Sequence, residues 1–232
     1  MKILRRSIER GHANHGWLNS HHTFSFADYY DPAHMGVGSL RVINDDRVAP
    51  GRGFGTHPHR EMEIISYVVE GALEHKDSMG TGSVIKAGDV QIMSAGTGVA
   101  HSEFNHSQEE SLHFLQIWVV PNQQALTPSY QQKFFAEERV NALRLVASSD
   151  GAEGSLIVNQ DVRLYASVLQ GGQQLEHRIE RQRQVYLQVV SGVLKVSGET
   201  LLEGDGLHLV DERDIVLLAE AEAHFLLFDL VA

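Results

Sequence analysis

The 232-residue chain contains no cysteine, which removes disulfides, iron-sulfur clusters and thiolate zinc sites together. Any metal it holds must sit on nitrogen and oxygen ligands, a set that suits hard or borderline divalent ions. Basic residues are also scarce: 19 Lys and Arg stand against 30 Asp and Glu, for a formal charge of -11. Gripping a phosphate backbone needs clustered Lys and Arg, whereas Arg5, Arg6 and Arg10 are scattered among apolar residues, so direct nucleic-acid binding is not expected. No stretch approaches the ~20 apolar residues of a membrane span. The start, Met1 to Arg10, becomes charged before the apolar part of a secretory signal can develop. A soluble, monomeric, cytoplasmic protein is the expectation.

With 42% hydrophobic residues the chain can bury a substantial core. Short apolar segments such as Ile64 to Val69, Val90 to Met93 and Leu112 to Val120 are rich in β-branched and aromatic residues and too short for most helices. Glu70-Gly71, Met79 to Gly82 and Ala87-Gly88-Asp89 separate them as hairpin turns. The pattern predicts an all-β protein of antiparallel strands with few short helices. Residues 123–140 contain Pro128, follow Pro121, and read as a strap between an N-terminal unit at 1–122 and a C-terminal unit at 141–232; Ala136 to Leu143 is read as a short helical turn. Aligning Gly71 with Gly192 places Gly51 on Gly172, and Leu112-His113-Phe114-Leu115 resembles Ala223-His224-Phe225-Leu226, a weak internal repeat. In that alignment His57, His59 and Glu63 fall on Arg178, Glu180 and Gln184, so the second copy lacks the ligand set and one metal site is expected.

That set begins at His57-Pro58-His59. On an extended strand both imidazoles project from one face, about 7 Å apart along the chain. His101 and Glu103 repeat the same spacing, adding a third nitrogen and a carboxylate from a second strand. Glu63 is the alternative carboxylate; it stands about 13 Å beyond His59 on a straight strand, so a supporting place behind the ligands is expected for it instead. Pro58 predicts a strand start or an irregular position. His12, His15, His21 and His22 have no regular spacing and are read as loop packing, and Asn44-Asp45-Asp46 as a turn between strands.

Gly51, His57, His59 and Glu63 resemble the first signature of the cupin superfamily, and Gly88, Gly96, His101 and Asn105 match its second in part. The late Gly71, Ser94 in the place of proline and the shifted His101 depart from a generic single-domain cupin. Arg10-Gly11-His12, the run from His22 to Pro32, Leu40 to Asp46, His57-Pro58-His59 and His101-Ser102-Glu103 instead resemble the pirin family across nearly the whole chain.

The resemblance implies two tandem cupin-type antiparallel β-barrels and the activity of bacterial pirin-like quercetin 2,3-dioxygenases, which open the central ring of a flavonol with O2 and release carbon monoxide. It implies one divalent metal on His57, His59, His101 and Glu103, with iron(II) expected and zinc, manganese, nickel, cobalt or copper admitted by the ligand chemistry. Glu103 is then also the expected base for the flavonol 3-hydroxyl. Phe24, Phe26, Tyr29, Tyr30, Met93 and Phe104 are the candidate walls for the planar substrate. The competing expectation is a metal-responsive module that binds a protein partner with little turnover.

Overall fold

A computed structural model describes all residues from Met1 to Ala232. Twelve strands occupy the first part of the chain: β1 (Lys2–Arg5), β2 (Gly11–Asn14), β3 (Leu18–His22), β4 (Leu40–Val48), β5 (Gly53–His59), β6 (Glu63–Glu70), β7 (Ala72–Asp77), β8 (Gly82–Lys86), β9 (Asp89–Ser94), β10 (Val99–Asn105), β11 (Leu112–Val119) and β12 (Ser129–Phe134). Eight follow: β13 (Arg144–Ser148), β14 (Leu156–Ile157), β15 (Val162–Leu169), β16 (Gln174–Arg178), β17 (Arg183–Val196), β18 (Glu199–Leu202), β19 (Gly206–Leu209) and β20 (Asp214–Val231). Two single 3-10 turns, Ser7–Glu9 and Ala152–Gly154, are the only helical elements. Ala136 to Leu143 forms turns instead of a helix, with Asn141 at φ 54. No helix is long and apolar enough to cross a membrane.

In the N-terminal half a seven-stranded sheet, ordered β12-β9-β6-β11-β4-β3-β2, faces a four-stranded sheet, β5-β10-β7-β8. The C-terminal half is one bent nine-stranded sheet built around the long β17 and β20, whose pairing is interrupted by register shifts at Val189/Ser191 and Gly192/Leu194. The hydrogen-bonded sheets stay open, and the two halves have the tandem antiparallel β-barrel architecture expected from sequence, without closure of the hydrogen bonding around either. The chain also crosses between halves. β1 pairs with β19 in the C-terminal sheet although residues 2–5 stand at the N-terminus, and β12, from the strap, extends the N-terminal sheet beside β9.

The continuous apolar runs have a cause in this layering. Strands β6, β9 and β11 are covered on both faces, so alternation of apolar and polar residues is lost. One face joins a 24-residue core shared by the halves, in which Ile65, Tyr67, Ile92 and Ile117 meet Leu164, Tyr186, Leu226 and Phe228. The other face turns into the N-terminal unit, where Val68, Leu112 and Phe114 pack with Leu73 and Ile85. Phe135 of the strap is fully buried in the shared core.

Candidate metal centre

Three neighbouring strands of the small sheet carry the histidines. His57 on β5 lies directly opposite His101 on β10, and His101 in turn lies opposite Asp77 on β7, with Glu103 opposite His75. Strand alternation points Val99, His101, Glu103 and Asn105 inward together. Pro58 is inside β5 and not at a strand start; β5 is a sheet edge, where a missing amide donor is tolerated. The imidazoles of His57, His59 and His101 form a triangle with ring centroids 4.8, 4.6 and 4.8 Å apart. Their ligand atoms lie within 4.8 Å of one another, and a second such group joins His75, His101 and Glu103.

Hydrogen-bond partners assign the tautomers. His57 Nδ1 donates to the Gly55 carbonyl at 2.7 Å, which leaves Nε2 bare. His75 Nε2 donates to Asp77 Oδ2 at 3.0 Å, so His75 Nδ1 accepts from His101 Nδ1 at 3.4 Å, and His101 Nε2 is bare as well. These two bare nitrogens face each other at 3.1 Å, and His59 Nε2 is buried with no partner. Lone pairs converging in this way repel unless a cation stands between them. Protonation does not supply one readily: burial, then the neighbouring His57, pushes the His59 pKa down to about 4, and burial with the surrounding His57, His59 and His75 lowers that of His101 further. The donor set therefore fits a divalent metal ion.

Glu103 is fully buried. Ser66 Oγ donates to its Oε1 at 3.0 Å and Gln116 Nε2 to its Oε2 at 2.9 Å. Burial lifts its pKa to about 7 against those two donors. Asp77 shows the opposite balance: burial would raise it, but donors from His75, Thr81 and Met79 hold it below the usual carboxylate range.

Glu63 is not brought to this cluster. Ser94 Oγ donates to its Oε1 at 2.6 Å, while the backbone and side-chain amides of Asn159 donate to its Oε2, both at 3.1 Å. It ties the N-terminal unit to the C-terminal one. Glu61 sits in a turn at φ 51 and caps the Ala125 amide from the strap.

A cavity of about 650 Å³ opens beside His57 and His59, within the range of small-molecule sites. Phe26, Tyr29, Phe54 and Trp118 line it, with Trp118 standing edge-on to both His59 and Phe26. Phe24 is instead buried against Tyr186, Met93 belongs to a core cluster with Ile64 and Val99, and Phe104 points to the outer face of β10. Tyr30 is largely exposed. Of the early histidines only His15 lies in a loop: β2 and β3 form a hairpin that stacks His12 on His21, and His12, His22 and His15 of the hairpin connection line the cavity. Sequence reading passed over His75, Asp77, Ser66, Gln116 and Trp118. The alternation of Leu73, His75 and Asp77 along β7 was the available signal.

The Pirin family model matches residues 4–119, and the model described as the quercetinase C-terminal cupin domain matches residues 145–230. The chain is 51% identical over 230 residues to the quercetin 2,3-dioxygenase of Escherichia coli K12, covering 99% of each. The crystal structure of bacterial pirin YhhW from Escherichia coli in complex with nickel(II) superimposes with a TM-score of 0.96 at 51% identity, covering 100% of this chain and 99% of that one. A quercetin 2,3-dioxygenase structure from Acinetobacter baumannii matches at 25% identity with a TM-score of 0.76, covering 91% and 80% of the two chains. The chain belongs to the pirin family, with one cupin domain in each half.

Proposed function

We propose that this pirin is a metal-dependent dioxygenase that opens the central ring of a flavonol such as quercetin with O2 and releases carbon monoxide, with His57, His59, His101 and Glu103 holding the metal. The observation that carries the reading is the meeting of three bare or unpartnered Nε2 atoms beside a largely apolar cavity of flavonol size. Kinship supports it, since relatives of the same length bear that activity in their names. Among the ions an N/O set admits, iron(II) is our choice; the related structure with nickel(II) supports a single metal ion of broad identity.

When bound, such an ion supplies Lewis acidity toward an enolic oxygen. The protein's own groups do the rest. Phe26, Phe54 and Trp118 offer the flat apolar walls a fused ring system needs and keep water from it. Ser66 and Gln116 fix the Glu103 rotamer and leave further lone pairs on its oxygens to take the substrate hydroxyl proton. We further infer a monomer working in the cytoplasm, where a chain without cysteine gives up no disulfide stabilisation.

The test is aerobic incubation of the apo and metal-loaded protein with quercetin, following oxygen uptake and carbon monoxide. Metal-dependent release of carbon monoxide is expected. A fully loaded protein that consumes neither quercetin nor O2 would contradict the reading and return weight to a protein-binding role.

A further inference from the structure

The inward face of β4 is polar where a sheet packed against an interior should be apolar. Asn44 and Asp46, read from sequence as a turn, lie inside β4 and are 2% exposed each. Register places Ser20 of β3 opposite Asp46, with His22 of β3 and Gln116 of β11 both opposite Asn44. All five side chains line the cavity beside the metal centre. Four have partners: His22 Nδ1 contacts Asn44 Oδ1 at 2.8 Å and Ser20 Oγ at 3.4 Å, and Gln116 donates to Glu103.

Asp46 is the exception. Its Oδ1 is buried without a hydrogen-bond partner, and no lysine or arginine pairs with its carboxylate. Burial, added to the negative Asp45 and Glu103 nearby and opposed only by the Ser20 hydroxyl, lifts its pKa to about 7. Leaving such a group unsatisfied costs stability, and an apolar residue of similar volume would avoid that cost. The position makes sense if a ligand completes it.

We propose that Asp46 is a specificity-determining residue: it accepts a hydrogen bond from a ring hydroxyl of the substrate other than the reacting 3-hydroxyl, so that the cavity selects polyhydroxylated flavonols. The inference rests on the flavonol reading of the site. It adds an acceptor on the wall opposite the histidine sheet, on a strand that carries none of the proposed metal ligands.

The test compares two ligands, quercetin and 3-hydroxyflavone, which keeps the 3-hydroxyl and lacks the others. Both are titrated without oxygen into metal-loaded protein and binding is followed by fluorescence, with metal content measured on the same samples. For Asp46→Leu, quercetin binding weakens by roughly tenfold, the scale of one lost hydrogen bond. Binding of 3-hydroxyflavone and metal content stay at wild-type values. If Asp46→Leu does not fold, the smaller Asp46→Ala, which also leaves no side-chain acceptor, carries the same comparison, and its preference for quercetin over 3-hydroxyflavone falls relative to wild type. Equal weakening of both ligands, or of neither, while wild-type binding is intact, overturns the role of Asp46 alone. A metal-loaded wild type that binds neither flavonol overturns it together with the flavonol reading.

Discussion

His101 and His75 meet Nδ1 to Nδ1 at 3.4 Å, and because Asp77 accepts the hydrogen bond of His75 Nε2 on the far side, the chain of contacts turns His101 Nε2 toward His57 and His59. A histidine that sequence reading left aside thus decides which nitrogen of His101 faces His57. Outer partners of this kind orient ligands and tune their basicity.

His75→Phe removes the acceptor for His101 Nδ1. Metal affinity should fall by about 10- to 100-fold, measured by competition with a chromophoric chelator. His75→Gln, whose side-chain oxygen still accepts, should lose less; equal losses would deny the tautomer role.

Gly53 allows β5 to lie close against β10. A Cβ there would stand 2.2 Å from the Glu103 carbonyl oxygen and 2.5 Å from the Phe104 Cα. Backbone cannot yield as a flexible side chain does, so Gly53→Ala should push β5, with His57 and His59, away from His101. Weaker metal binding with the overall strand content kept is the expected outcome, read by chelator competition and circular dichroism.

Glu63→Ala separates a structural carboxylate from a ligand. Losing the acceptor for Ser94 and Asn159 should lower stability by about 2 kcal/mol in urea unfolding. Metal stoichiometry should not change. A variant with wild-type stability and less metal would reverse the assignment.

His224 provides a pH signature in the shared core. Arg139 donates to the Tyr67 hydroxyl, which donates in turn to His224 Nε2 at 2.7 Å. Burial, with the charges of Arg139 and His113, pushes the His224 pKa down to about 3. The folded state therefore binds fewer protons than the unfolded chain between that value and the ordinary histidine pKa of about 6.5. This residue's contribution is present above that upper pH and is lost as pH falls through the window, by at most about 1.4 kcal/mol per pH unit. His224→Gln should flatten the pH dependence of urea unfolding of the apo protein from pH 7 to 5; an unchanged slope would count against a buried neutral imidazole.

Much of this was legible in sequence because turns and parity leave local marks. Gly71 and Gly192, aligned as repeats, sit at φ 80 and 81, and a Cβ on either would press on the backbone of Ser111-Leu112 or Glu222-Ala223, where the two resembling segments that start at Leu112 and Ala223 begin. The two-residue spacing of His57 with His59 and of His101 with Glu103 put each pair on one strand face. Asn44 to Asp46 misled because turn-forming residues fill a strand whose inner face meets a cavity. Strand parity does not say which face looks into which layer. Phe24 and Met93 accordingly joined cores, while Trp118, within a run read only as a strand, became a cavity wall.

The proposed site holds one ion where the imidazoles of His57, His59 and His101 converge, with Glu103. Anomalous X-ray scattering from crystals of the iron-loaded protein tests it most directly. A single strong peak is expected within bonding distance of those three Nε2 atoms and a Glu103 carboxylate oxygen, with none in the C-terminal half. A peak elsewhere, or an iron coordinated without Glu103, would contradict it.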